Sequence, residues 1–279
     1  MKHASSFKAP FKIGTSSMVF GDDLIDNANL LADMIDHIEI VLFHTPDLHN
    51  VPEADEINYL KRMGENKEIT YSIHLPAFLE VASSDKNIRA QSIQLAGDII
   101  KWMNALNPLH HIIHIPFTAP TLTPEPGVYF SNDDAEQFYL WTPRALNSLT
   151  SLKDAVGQGT KILVENINYS PSLLTPFMQN GLCDLCLDAG HLLLGRERVM
   201  DALKNYLKIT REIHLHGVIG YEEHLSLAVL PVERISEWIR FLWHSEFNGI
   251  VNLEVFTPGD LAESMSILTE TISFVSQKT

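Results

Sequence analysis

Six short apolar runs rich in β-branched residues each end in a histidine or a carboxylate. They are Ile73-His74-Leu75, Ile112-Ile113-His114, Leu163-Val164-Glu165-Asn166, Leu187-Asp188-Ala189-Gly190-His191, Ile213-His214-Leu215-His216 and Val251-Asn252-Leu253-Glu254. Burying a bare charge in such a strand costs several kcal/mol, so these carboxylates must be paired, metal-bound or at an open rim. If the runs are parallel neighbours in a closed sheet, their ends converge on one mouth. Imidazoles and carboxylates meeting there make a divalent-metal site.

Glu165 and Glu254 each close an apolar run and are the expected catalytic carboxylates. Asp188 and His191 share the motif Asp-Ala-Gly-His, whose glycine permits the turn that brings both to one opening. His214 and His216, two apart, face the same side of a strand. His216 is nearer the mouth and is the expected ligand, with His214 behind it or in the core. His114 is nearer its strand end than His110 and His111, which are expected at the barrel bottom, and His74 stands just before the strand-ending Pro76. Glu222 and His224 can turn to one face of an extended segment. Glu39 is a pocket residue or half of a barrel-interior ion pair. His3, His37, His44, His49 and His244 have no such company and read as surface or packing residues.

The elements that must position these groups alternate. Strand-like runs cover residues 11–15, 37–43, 69–74, 111–115, 161–166, 182–188, 212–216 and 249–256. Between them, residues 24–35, 54–63, 88–106, 134–156, 199–206, 232–241 and 261–275 carry apolar positions at helical spacing. Ser170-Pro171 and Asp133-Asp134 offer helix-start chemistry, and a loop is expected around Gly190 and Gly195. Eight alternations predict a (β/α)8 TIM barrel, a single domain over residues 1–279. An open doubly wound sheet needs a glycine-rich phosphate loop, and Gly14-Thr15-Ser16-Ser17 is a poor one. The longest irregular stretch, residues 116–132, follows strand four, where a loop shapes or covers a site.

Composition narrows the partners. The formal net charge is −15 with no basic cluster, which disfavours a nucleic-acid partner. No apolar run is long enough for a membrane span, and the first residues do not read as a secretory signal, so a cytoplasmic protein is expected. Oligomeric state has no signature. Cys183 and Cys186, spaced C-x-x-C within an apolar strand, face opposite sides and read as two small buried residues, not a redox or zinc pair. Phe117, Tyr129, Phe130, Tyr139 and Trp141 are candidates for stacking on a substrate ring or for core packing, and Arg144 and Arg196 for holding a phosphate.

These motifs resemble the xylose isomerase-like superfamily that includes AP endonuclease family 2, the endonuclease IV-like TIM barrels. The resemblance covers nearly the whole chain. It implies a first metal on His74, His114 and Glu165. Glu165 then bridges to a second metal on Asp188, His216 and Glu254. A third takes His191 and an Asp-x-His pair, replaced here by Glu222-x-His224 on a shorter loop. Single-metal sugar isomerases and epimerases of the superfamily keep residues matching Glu165, Asp188, His216 and Glu254. A narrower similarity, to the cobamide-remodelling phosphodiesterases named CbiR, rests on three kinds of segment. These are Phe11-Lys12-Ile13-Gly14-Thr15-Ser16-Ser17 with Ile38-Glu39-Ile40-Val41-Leu42-Phe43, Asp188 to Leu194, and Ile213-His214-Leu215-His216-Gly217-Val218 with His224-Leu225-Ser226-Leu227.

Three functions are therefore expected, in this order. The first is a metal-dependent phosphodiesterase acting on the nucleotide loop of a cobamide, a corrinoid, through one to three ions. Zinc is the expected ion, with manganese, cobalt and iron compatible. The second is a metal-dependent isomerase or epimerase of a sugar or sugar phosphate, with Glu165 and Glu254 moving a proton on opposite sides of the substrate. The third is a non-enzymatic binding barrel. The surplus histidines separate the first from the second, since one ion leaves His74, His114, His191 and His224 without a common purpose.

Overall fold

A computed structural model describes residues 9–21, 23–45, 49–117 and 135–277. Residues 118–132, which hold most of the long irregular stretch together with Tyr129 and Phe130, lie outside the described residues, as do His3 and Asp133-Asp134. Among the described residues ten strands occur, at β1 Lys12–Ser16, β2 His37–Val41, β3 Thr70–His74, β4 His111–Ile113, β5 Ile162–Glu165, β6 Asp184–Asp188, β7 Thr210–Leu215, β8 Gly217–Ile219, β9 Glu222–Leu225 and β10 Ile250–Leu253. Eight of them close into a barrel in the order β1-β10-β7-β6-β5-β4-β3-β2, every pairing parallel, which is a TIM barrel. The remaining two, β8 and β9, pair antiparallel as a hairpin that leaves the barrel directly after β7. The sequence gives no alternation that predicts this hairpin.

Helices α1 Leu24–Leu31, α2 Ala54–Lys67, α3 Lys86–Met103, α4 Ala135–Val156, α5 Thr175–Gln179, α6 Ala189–Leu194, α7 Val199–Tyr206, α8 Val232–His244 and α9 Pro258–Ser276 connect these strands. Several start where a side-chain oxygen accepts an orphan amide: Asp85 caps α3, Thr257 caps α9 and Asp188 caps α6. The loop expected around Gly190 is instead α6. Asp188 supplies the cap that makes so short a helix possible, its Oδ1 accepting from His191 N.

Strand period two sorts the side chains into an outer and an inner set. Outward residues such as Ile38, Ile40, Ile73, Val164 and Leu187 join the shell beneath the helices. Inward residues fill the barrel unevenly. Ile112, Leu163 and Cys186 form a small apolar cluster on one side. The other side carries fully buried His37, Glu39, Ser72, Glu212, His214 and Asn252. Cys183 belongs to the outer shell and Cys186 to the inner cluster. Burial pushes the Cys183 thiol up to about 12 and holds the Cys186 thiol well above its ordinary value, so neither is a nucleophile at neutral pH.

Candidate metal centre

The C-terminal strand ends bring the expected groups together around Glu165. Its Oε2 lies 3.2 Å from His74 Nε2 on β3, 3.3 Å from His114 Nε2 just past β4, and 3.5 Å from His214 Nδ1 on β7. Its other oxygen, Oε1, lies 3.2 Å from His191 Nδ1 on α6. Glu165 is thus common to three ligand sets; in one, with His214 and Cys186, burial keeps the thiol protonated, which leaves two suited to an ion. One comprises His74, His114 and Glu165; the other comprises Glu165, Asp188, His214 and Glu254. In each, one ligand atom per residue lies within 4.8 Å of all the others.

The β7 contribution differs from expectation. His214, not His216, stands among Glu165, Asp188 and Glu254, with Nδ1 3.1 Å from Glu254 Oε2 and 3.7 Å from Asp188 Oδ2. Strand phase explains this: β7 ends at Leu215, so His214 is its last inward residue, and the chain turns before His216. His216 is held by the backbone of the hairpin, His224 N donating to its Nδ1 at 2.9 Å. The same Nδ1 lies 3.3 Å from Gly217 O, and Nε2 faces Asp188 Oδ2 at 3.4 Å.

A third group forms where the hairpin meets α6: His191, His216 and His224 each offer a ligand atom within 4.8 Å of the others, with Glu223 beside them. His191 Nε2 lies 3.5 Å from Glu223 Oε2, and His224 Nε2 lies 3.8 Å from Glu223 Oε1. The rings of His216 and His224 are 4.4 Å apart, and Phe256 packs on His224 at 4.8 Å. His224 has φ 57°, a left-handed conformation costly for any residue but glycine. Glu222, the expected partner of His224, is exposed, and its neighbour Glu223 faces the histidines instead. Only the hairpin register could have revealed that choice.

The imidazoles are oriented by their far nitrogens. His74 Nδ1 meets Leu75 O at 2.9 Å, His191 Nδ1 meets Asn166 O at 2.9 Å, and His224 Nδ1 meets Glu254 O at 3.2 Å. A carbonyl oxygen only accepts, so each Nδ1 carries a proton and each Nε2 is the nitrogen left to face an ion. The fit to a divalent ion also shows in what the chain leaves unsatisfied. His114 Nε2, Asp188 Oδ2, His214 Nδ1 and Glu254 Oε2 are all buried without a hydrogen-bond partner. Each such atom costs about 1–3 kcal/mol if nothing meets it. All four belong to the two sets that share Glu165, and the mixture of imidazole and carboxylate suits zinc, manganese, cobalt or iron.

The electrostatics agree. Burial alone opposes ionisation of Glu165, but His114 and His214 outweigh it and hold the carboxyl well below the usual range. Glu254 is also held low, burial being outweighed mainly by His214. Burial works against a charged imidazole, yet the carboxylates lift His74 to about 9 and His191 to about 10. The mouth therefore favours positive charge, and without an ion its imidazoles supply it as protons.

Other expectations resolve elsewhere. Beneath the mouth, His214 Nε2 meets Glu39 Oε2 at 2.8 Å, the interior pairing considered for Glu39. His37, expected at the surface or in packing, lies in the barrel interior and contacts Thr70 and Ser72. His110 pairs with Glu212 at the bottom. Phe117 and Trp141 pack together in the core, Trp141 also against Tyr169 and Phe177, whereas Tyr139 is exposed. Arg144 donates to Ala82 O, and Arg196 lines an outer cleft with Arg198 and Arg234.

No protein-family model matches the chain, and no curated protein sequence matches it. Solved structures do. A D-tagatose 3-epimerase-like protein superposes with TM-score 0.74 at 20% identity, over 96% of this chain and 99% of that one. Endonuclease IV from Thermus thermophilus superposes with TM-score 0.66 at 14% identity, over 94% and 99%. A xylose isomerase domain protein from Planctomyces limnophilus gives 0.65 at 15%, over 96% and 98%. The neighbours are xylose isomerase-like TIM barrels, and identities this low establish the fold alone. Among the described residues, no helix is long and apolar enough to cross a membrane.

Proposed function

We propose that the chain is a divalent-metal-dependent enzyme with a multinuclear centre, and that its reaction is hydrolysis of a phosphodiester. The observation that carries this reading is the sharing of Glu165 between two ligand sets, with the third group of His191, Glu223 and His224 beside them. The proposed ligands are His74, His114, Glu165, Asp188, His214 and Glu254 in the two sets that share Glu165, and His191, His216, His224 and Glu223 in the third. Zinc is the ion best matched to so many imidazoles.

Bound divalent ions supply Lewis acidity towards phosphoryl oxygens and ease the deprotonation of water. The chain's own groups do the rest. Glu165 and Glu254, held ionised, can take a proton from attacking water. His114 is the most open of the three histidines facing Glu165 Oε2 and is placed to meet a substrate. Phe256, part-exposed and packed on His224, offers a ring face to an apolar part of the substrate. Within this class, the motif similarity supports the nucleotide loop of a cobamide as the substrate.

Sugar epimerisation is the second reading, and the epimerase-like neighbour favours it. It would use Glu165, Asp188, His214 and Glu254 around one ion, with Glu165 removing a proton beside a carbonyl and Glu254 returning one to the opposite face. Metal analysis of protein purified without chelator separates the two. Two or three equivalents, with hydrolysis of cobamides or of bis(p-nitrophenyl) phosphate, supports the first. One equivalent, with turnover on a ketose panel and none on phosphodiesters, replaces it with the second.

A further inference from the structure

Four imidazoles of the mouth have their far nitrogen engaged as a donor, and one is held differently from the rest. His74, His191 and His224 give Nδ1–H to backbone carbonyls and present Nε2. His214 is turned round: Nδ1 faces Glu165, Asp188 and Glu254, and Nε2 points down the barrel to Glu39 Oε2 at 2.8 Å. Its anchor is a side-chain carboxyl and not a backbone carbonyl.

We propose that Glu39 is a positioning residue of the centre, fixing His214 as the Nε2–H tautomer so that its Nδ1 lone pair points into the four-ligand set. The inference rests on the metal-centre reading above. Glu39 is suited to the task because it cannot itself move. It lies on β2, fully buried, and its backbone is held by the neighbouring strands, with β1 paired at Ser16 and β3 at Ser72. His214 is equally fixed, with β6 paired at Asp188 and β10 at Asn252. The 2.8 Å contact thus spans the barrel interior between two rigid strands, 175 residues apart in sequence.

The layer below supports the same orientation. Glu212 Oε1 lies 4.0 Å from His214 Nε2 and 3.8 Å from His37 Nε2, while its Oε2 meets His110. A second carboxylate beneath Nε2 favours a proton there, and the three carboxylates around Nδ1 leave that nitrogen for a cation. A flipped ring would aim N–H at the ligand set and a lone pair at two carboxylates. By the usual rule for such outer partners, losing the anchor weakens metal binding by about 10–100-fold.

The test uses the full chain, wild type and the variants Glu39→Gln and Glu39→Met. Glutamine keeps an accepting oxygen at the same reach; methionine keeps length but accepts poorly. Long-range 15N NMR of the Zn2+-loaded protein reads which nitrogen of His214 keeps its proton, and competition with a chromophoric chelator reads Zn2+ affinity. Expected are an Nε2–H signal for His214 in the wild type and in Glu39→Gln, mixed tautomers in Glu39→Met, and Zn2+ binding about 10–100-fold weaker in Glu39→Met alone. A merely structural role would lower thermal stability in Glu39→Met and leave tautomer and affinity unchanged, overturning the proposal. So would an Nδ1–H signal in the wild type, which stands even if Glu39→Met fails to fold. A wild type that binds no Zn2+ removes the metal-centre reading and this proposal with it, whereas a wild type that binds Zn2+ as tightly as Glu39→Met removes the proposal alone.

Discussion

Gly190 lies flat against the ring of His216. A Cβ placed on it would stand 1.9 Å from His216 Cε1 and 2.2 Å from Nε2, far inside van der Waals contact. The glycine of Asp-Ala-Gly-His is therefore there for room as well as for the turn. Gly190→Ala must push His216 away from Asp188 or bend the start of α6. Overpacking of this kind costs about 1–3 kcal/mol. Chemical denaturation should show that loss, together with weaker Zn2+ binding, because Asp188 loses the ring behind it.

Glu165→Gln removes the group common to two ligand sets. The neutral amide keeps the volume but supplies one carbonyl oxygen where two anionic oxygens stood. Metal analysis should show the loss of more than one equivalent if the centre is multinuclear, and turnover should fall by about 100-fold or more. Loss of one equivalent alone would remove the bridging role.

His214→Gln and His216→Gln separate the two histidines of β7 and the turn after it. The first should abolish binding at the four-ligand set. The second should weaken it about tenfold or less, through Asp188, and should cost binding at the third group, where His216 stands with His191 and His224. Equal losses at the four-ligand set would show that both rings ligate there.

Glu222→Gln and Glu223→Gln make the same comparison on the hairpin. Only Glu223 faces His191 and His224. Glu223→Gln should cost one metal equivalent, and Glu222→Gln none.

Away from the mouth, His111 gives a prediction about acid stability. Burial, and then the neighbouring His110, push its imidazole from 6.5 down to about 4. The folded chain keeps this ring neutral, while the unfolded chain takes up a proton below about 6.5. The associated stability is complete above that pH and is lost as pH falls through about 4, amounting to about 3 kcal/mol. Neither ring nitrogen has a hydrogen-bond partner, so His111→Phe breaks no bond of that kind. Denaturation in chelator should show a flatter fall in stability between pH 6.5 and 4 for this variant.

The barrel was legible because its physics is local. Apolar β-branched runs alternating with helical spacing demand strands and helices, and eight alternations leave one architecture. The positions of His74, His114, Glu165, Asp188, His191 and Glu254 followed from their place at run ends. What sequence could not resolve were choices of phase. His214 and His216 lie in one run, and only the residue at which β7 stops decides which faces inward. Glu222 and Glu223 are adjacent, and their facing depends on a hairpin whose strands of three and four residues carry no alternation. Glu39 and His214 are joined through the barrel, and no periodicity links residues 175 apart.

The hairpin β8–β9 has a consequence for how such a centre changes over time. Glu223 and His224 sit on a detour between β7 and α8 that contributes nothing to barrel closure, whereas Glu165, Asp188, His214 and Glu254 are bound into the barrel wall. On the proposed metal-centre reading, shortening or exchanging the detour alters the number of ions held while leaving the eight-stranded frame intact. Nuclearity is then a property that a lineage can gain or lose through one insertion, and a designer could transplant it between barrels by grafting a single loop.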